Sequence, residues 1–322
     1  MSKSRRWLGL SIILLSFGWA ASGQCADKYP SRAVDLISPF STGGSTDAAN
    51  RIIADWLKNE WKVPVNVVSK PGGNTVPAAL EMYNAAPDGY TVLGDTSATC
   101  MLPVLVNKLP FNVLDRVFVS TIYRFPQIFI VHPNSPFKTM KELEAEAKRS
   151  PETFTWTSMG GSGSQDVTGR QFFKSIGVDV AKTKPIVAKG GGEAGTLTAG
   201  GHVVMGIVAP GVALPLIQGG LVVPLAITTE ERDAQFPDVP TTTEVGYPAV
   251  TFGQWSGISG PPNLPAEVVE VWDKAVQKMI KDPDFISKLG KMGISVAYKN
   301  AEDTRAYVAK ETQEIKDLWG VK

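Results

Sequence analysis

Ser162 and Ser164 sit in "SMGGSGSQD", residues 158–166, where hydroxyls alternate with glycines. A hydrolase presents its serine on such a turn, in G-x-S-x-G, and needs a histidine oriented by an acid to take the proton. Here Ser164 stands where the last glycine belongs. The chain has two histidines, His132 before Pro133 at the end of an apolar run and His202 between "AGG" and "VVMG". Both read as strand-edge residues, so an exported esterase using Ser162 or Ser164 is the leading enzymatic alternative, and it lacks a marked base. "GGGEAG" at 190–195 satisfies G-x-G-x-x-G, but no acid follows about twenty residues on to hold a ribose, and no lysine follows the last glycine. Cys25 and Cys100 are the only cysteines, with no C-x-x-C pair and no histidine beside them, which argues against zinc. No metal or cofactor is expected.

Binding of an anion is the remaining chemistry. In "PFSTGGSTDAANRIIADWL", residues 39–57, a polar glycine loop joins the apolar run "VDLIS" to a helical pattern in which Ile52, Ile53, Trp56 and Leu57 share a face. At a helix start, unpaired N–H groups and the positive end of the dipole face outward, and glycine lets a ligand approach them. Read as a plain turn, the same stretch uses Thr46 or Asp47 as the N-cap. Two further loops repeat the design: "SMGGSGSQD" after "FTWT", and "AKGGGEAGT" after "PIV". None of the first two loops carries Lys or Arg, so neutral donors would have to hold the anion.

Elements that could position these loops recur along the chain. Apolar runs "VDLIS", "VNVVS", "YTVLG", "IFIVH", "FTWTS", "VVMGIVA" and "VVPLAIT" read as strands. Helical spacing marks 46–62, 76–86, 140–149, 167–176, 265–281 and 301–318. In the fifth of these, Val268, Val271, Trp272, Ala275, Val276 and Met279 recur at three and four. Thr139 with Glu142 and Thr241 with Glu244 fit capping boxes. The alternation predicts parallel α/β layers, whose ligands bind at the carboxyl ends of the strands.

The chain has 322 residues, 43% hydrophobic and 20% charged, with net charge +1. That size suits two domains, and no basic patch suggests nucleic acid as a partner. A basic start, "MSKSRR", precedes the 15-residue apolar stretch "WLGLSIILLSFGWAA" and the small residues of "SGQCA", the order of a secretory signal, and shorter than a membrane span. Removing Lys3, Arg5 and Arg6 with it leaves about −2. A periplasmic mature protein is expected, with residues 1–26 as signal peptide.

From about Tyr29 to Trp319 the chain resembles the Bug-type extracytoplasmic solute receptors, the binding components of tripartite tricarboxylate transporters. The resemblance rests on "YPSRAVDLISPFSTGGSTD", "KPGGN", "AAPDGYTVLG", "KLPF", "VHPNSPFKTMKEL", "SMGGSGSQD", "KGGGEA", "FPDVPTTTEVGYP" and "GISGPPNLP", in the family's order. It implies an α/β, two-lobed periplasmic binding protein of type II, hinge-connected about a central cleft. Lobe 1 would be residues 27–127 plus 251–322, and lobe 2 residues 128–250. It also implies no catalysis, a small organic carboxylate as ligand (dicarboxylate, amino acid or aromatic carboxylate), membrane permease subunits as partners, and a monomer. A ligand-responsive sensor input would share the fold. Ligand contacts carried over from the family are Phe40, Ser41, Thr42, Gly43, Gly44 and Thr46 in the first loop. The second lobe adds Gly160, Gly161, Ser162, Gly163, Ser164 and Asp166. Ser97, Thr99 and Ala209 complete the set. Ser41 and Thr42 depart from the family pattern by adding hydroxyl donors.

Overall fold

The computed structural model describes residues 29–321, apart from Ser41, Gly43, Gly44 and Ser162. The expected signal segment and Cys25 lie outside the described residues. The chain opens with β1 (Val34–Ser38), α1 (Ser45–Trp61), β2 (Val65–Ser69), α2 (Val76–Tyr83) and β3 (Thr91–Thr96). A 3-10 segment (Ser97–Met101), α3 (Leu102–Leu105) and β4 (Val117–Phe125) follow. Next come β5 (Ile128–Val131), α4 (Met140–Arg149), β6 (Thr155–Ser158), α5 (Ser164–Ser175), β7 (Lys184–Val187), α6 (Gly191–Ala199), β8 (Gly206–Val208), α7 (Pro210–Gln218) and β9 (Val223–Ile227). The chain ends with β10 (Gln254–Gly260), α8 (Ala266–Met279), α9 (Pro283–Gly290), β11 (Ser295–Lys299) and α10 (Ala301–Trp319).

Six strands form one sheet in the order β11-β4-β10-β3-β1-β2. β1 pairs in parallel with β2 and β3, joined by α1 and α2 in the crossovers that parallel neighbours require. β10 lies antiparallel between β3 and β4, and β11 is antiparallel to β4. Between the two halves of that sheet, the chain builds β5 antiparallel to β8 and β9, and β6 parallel to β7. The expected parallel layering therefore needs correction: it holds where a helix carries the chain back over a sheet. Antiparallel pairing appears where the chain leaves one sheet and returns, because β4 runs almost directly into β5 and β10 comes back after β9.

Burial follows from these layers. Val34, Leu36 and Ile37 of β1 are fully buried, as a central strand covered on both faces should be. On α8 the buried residues are Val268, Trp272, Ala275, Val276 and Met279, the stripe that helical spacing marked. A second core gathers Phe129, Phe154, Trp156, Phe172 and Phe173 around β5, β6 and α5. Thr139 caps α4 by accepting from Glu142 N, while Glu142 accepts from Lys138 N. The Thr241–Glu244 box closes as well, but only around one turn and not at a regular helix.

Two short segments cross between the sheets, before Ile128 and before Gln254. Thr228 ties them together: its Oγ accepts from Gln127 N at 2.9 Å and donates to Phe252 O at 2.7 Å. Beside the crossings, Val167 of α5 packs into a cluster with Trp255, Val308 and Ile315, and Arg170 reaches Leu318 O at 3.4 Å.

Candidate ligand site between the lobes

Strand ends and helix starts converge on one cavity of about 410 Å³. After β1 comes Phe40, after β3 Ser97 and Ala98, after β6 Met159 and Gly163, after β7 Gly191 and Gly192, and after β8 Ala209; all line it. Gln127, Phe252 and Gln254 close it from the crossing segments. Every one of the five junctions feeds a helix or 3-10 segment at its N-terminal end, so partial positive charge faces the cavity from several directions. No Asp, Glu, Lys, Arg or His is among the described lining residues.

Donors are left open there. The N–H groups of Asp166 and Val167 return to Gly163 O, at 3.0 and 3.3 Å, while those of Ser164 and Gln165 have no protein acceptor among the described residues. Ser97 is 4% exposed, and its hydroxyl makes no hydrogen bond among the described residues. Ser164 Oγ donates to Gln165 Oε1 at 3.2 Å. Such an array can hold a small anion through neutral dipoles while the apolar faces of Phe40, Met101, Val212 and Phe252 take an aliphatic body.

Charged residues act one layer back, holding loops. Asp166 is buried on α5 and accepts from Ser158 Oγ (2.5 Å), Gly163 N (2.9 Å) and Met159 N (3.0 Å). Its carboxylate thereby closes the glycine loop on itself. Gly160 and Gly161 take φ of +76° and +92° in that loop, a region side chains disfavour. A Cβ on Gly163 would meet Met159 Cγ at 2.4 Å. Under Ser97, Asp95 pairs with Arg116 at 2.6 Å with both side chains 1% exposed. Asp95 also accepts from Thr99 Oγ at 2.9 Å, and Arg116 donates to Thr99 Oγ at 2.7 Å. Near the first loop, Asp47 accepts from Arg51 Nε at 2.9 Å and Ser69 Oγ at 3.2 Å, and Ser69 meets Thr42 Oγ at 3.1 Å.

The residues singled out from the sequence thus separate into groups. Phe40, Ser97, Gly163, Ser164 and Ala209 line the cavity. Thr99 and Asp166 are turned into the supporting networks, and Thr46 is buried in the first turn of α1. Thr42, Gly160 and Gly161 lie in the loops without lining the cavity, and Ser41, Gly43, Gly44 and Ser162 lie outside the described residues. α1 begins at Ser45, so Thr46 and Asp47 are first-turn residues and neither is the N-cap. Gly191, Gly192, Gln165, Gln127, Phe252 and Gln254 line the cavity as well, and of these only the first two carry a local sequence signal, in "AKGGGEAGT". His132 Nδ1 accepts from Asn134 N at 3.0 Å, and neither histidine lines the cavity that holds Ser164. Cys100 is a buried free thiol whose pKa burial pushes well up. Among the described residues no group of three metal-ligating side chains occurs, and no helix is long and apolar enough to cross a membrane.

Known proteins share this fold. Residues 49–319 match the family described as tripartite tricarboxylate transporter family receptor. A UPF0065 protein from the gbd 5′ region of Cupriavidus necator is 30% identical over 91% of this chain and 88% of its own. A TctC solute-binding protein from Polaromonas, solved without ligand, superposes with a TM-score of 0.79 at 24% identity, covering 90% of this chain and 98% of that one. An R. palustris protein solved with adipate gives 0.75 at 23% identity, over 91% and 99% of the two chains. The fold is accordingly that of the two-lobed, α/β periplasmic solute-binding proteins, and the chain belongs to the receptor family of the tripartite tricarboxylate transporters.

Proposed function

We propose that this receptor is exported, captures a small organic carboxylate in the cavity between its lobes, and delivers it as a monomer to the membrane permease subunits of a tripartite transporter. An aliphatic dicarboxylate leads, ahead of amino acids and aromatic carboxylates, since an R. palustris protein of the same fold holds adipate. The observation that carries the reading is the convergence of five strand-to-helix junctions on a cavity with no ionisable described side chain. Each helix start contributes about 0.3–2 kcal/mol toward a carboxylate. Micromolar capture needs roughly 8 kcal/mol, so several donors and burial of the ligand body must act together. We take lobe 1 as residues 27–127 plus 251–322, and lobe 2 as residues 128–250. Contacts come from Phe40 and Ser97 on the first lobe, from Gly163, Ser164 and Ala209 on the second, and from the undescribed Ser41, Gly43, Gly44 and Ser162.

No hydrolysis belongs to this reading, because Ser164 has Gln165 as its neighbour where a base would be needed. A thermal-shift screen against aliphatic dicarboxylates, amino acids and aromatic carboxylates tests it. A ligand at one hundred times its dissociation constant stabilises by about 2.7 kcal/mol. A carboxylate hit is expected, and its neutral amide should give none. A panel without a hit, or ester hydrolysis abolished by Ser164→Ala, contradicts the reading.

A further inference from the structure

A roomier cavity, of about 530 Å³, opens where the crossing segments meet α10 and the β4–β11 edge. Pro126, Thr251 and Phe252 contribute to its wall, so an occupant would touch the segments that must bend when lobes move. Its chemistry is unlike that of the interlobe cavity. Arg124, at the end of β4, donates through Nη2 to Thr251 O at 2.6 Å, while its Nε is buried without a hydrogen-bond partner. Thr229 Oγ on the same wall is likewise buried and unpartnered. Lys299 comes from β11. The Arg124 guanidinium lies 5.9 Å and the Lys299 ammonium 5.4 Å from the centroid of the Tyr307 ring.

Neither cation forms an ion pair among the described residues. Of the acids around the cavity, Glu314 lies 3.7 Å from Lys310, and Glu230 is exposed at the rim. Glu311 is buried, but its two oxygens are taken by Trp255 Nε1 at 2.6 Å and the Tyr307 hydroxyl at 2.9 Å. Burial also raises its pKa to about 7, which reduces its negative charge near neutrality. Two cations thus lie near one aromatic ring in a partly desolvated pocket, and among the described residues neither is paired with a carboxylate. Guanidinium and ammonium groups in such settings bind carboxylates well, and the ring faces and Ala297 offer contact to a flat apolar body.

We propose that this hinge cavity is a second small-molecule site, which takes an aromatic monocarboxylate with its carboxylate at Arg124 and Lys299. The site is distinct from the interlobe cavity, with which it shares Phe252 as a wall. Benzoate is the probe, titrated into the full chain by calorimetry, with benzamide as the neutral control. One benzoate per chain is expected, with no heat from benzamide. Lys299→Glu should weaken benzoate at least tenfold, and Arg124→Gln should do the same with folding checked by its melting curve. Since Arg124 also holds Thr251 O, Lys299→Gln serves as the variant that leaves that contact alone, with a smaller loss expected. Ser164→Ala should leave this affinity unchanged. Absence of benzoate binding overturns the proposal, as does equal binding by Lys299→Glu. Benzoate lost in Ser164→Ala and kept in Lys299→Glu overturns it too, and would instead place benzoate among the ligands of the interlobe cavity.

Discussion

Phe252 is a wall of both cavities, yet the spaces on its two sides are built from opposite materials. In the interlobe cavity, the described lining side chains carry no charge, and the open donors are N–H groups and hydroxyls at helix starts. At the hinge, Arg124 and Lys299 both lie near the Tyr307 ring, while Glu311 is held by Trp255 and the Tyr307 hydroxyl. A receptor must hold its cargo and also release it. Fixed neutral dipoles gain little from long-range attraction and act mainly when the ligand sits in register. Charged residues near the interlobe cavity, Asp166 and the Asp95–Arg116 pair, are spent on holding loops. The difference teaches that charge beside the interlobe cavity holds its loops, and that the donors left open to that cavity are neutral.

The strongest way to break that comparison is to remove one partner of the buried pair. Asp95→Ala leaves Arg116 buried without its carboxylate, and a loss of about 3–5 kcal/mol is expected in urea unfolding. The Ser97 segment should loosen with it, so the surviving folded fraction should bind ligand more weakly. An unchanged midpoint would show that Arg116 finds another partner.

On the hinge side, Glu311 tests the opposite design. Its pKa is raised from 4.5 to about 7, chiefly by burial, so the folded state holds its proton where the unfolded chain gives it up. Its contribution to stability is therefore full below pH 4.5 and is lost as pH rises through about 7, a drop on the order of 3 kcal/mol. Glu311→Gln should flatten the decline in melting temperature between pH 5 and 8. A parent whose melting temperature is already flat across that window would contradict the assignment.

A smaller effect is expected at Gly163. A side chain there would press on Met159 Cγ, and forcing it in costs about 1–3 kcal/mol of stability. Gly163→Val should fold, melt lower, and bind carboxylate poorly, because Met159 or the new side chain must move into the cavity. Retained affinity would separate this loop from the ligand.

Much of this plan is legible in the residues, for reasons that differ by region. Glycine-rich stretches after "VDLIS", "FTWT" and "PIV" announce strand-to-helix junctions by themselves, since backbone freedom and open N–H groups are local properties. What sits behind the loops is harder to read. Asp166 has the look of a ligand contact in sequence, but three donors within the eight residues before it capture its carboxylate first. Thr99 is turned inward by Asp95 and Arg116, the latter seventeen positions away and outside any local pattern. Gln127 and Phe252 reach the cavity only because the chain crosses twice, more than a hundred residues apart. β10, "QWSGISG", escapes notice because Trp255 and Ile258 are its only large apolar residues, and pairing on both sides supplies its stability. β4 and β11 share that dependence on partners distant in sequence.

One measurement bears most directly on the central claim that a neutral cradle drawn from both lobes holds the carboxylate. The carboxylate found by thermal shift is titrated by calorimetry into the parent, Ser97→Ala and Ser164→Ala. Each variant removes one hydroxyl from a different side of the cavity, and each should weaken binding by about 1–3 kcal/mol, roughly 5- to 150-fold. Affinity equal to the parent in either variant would contradict capture between the two lobes by this cradle.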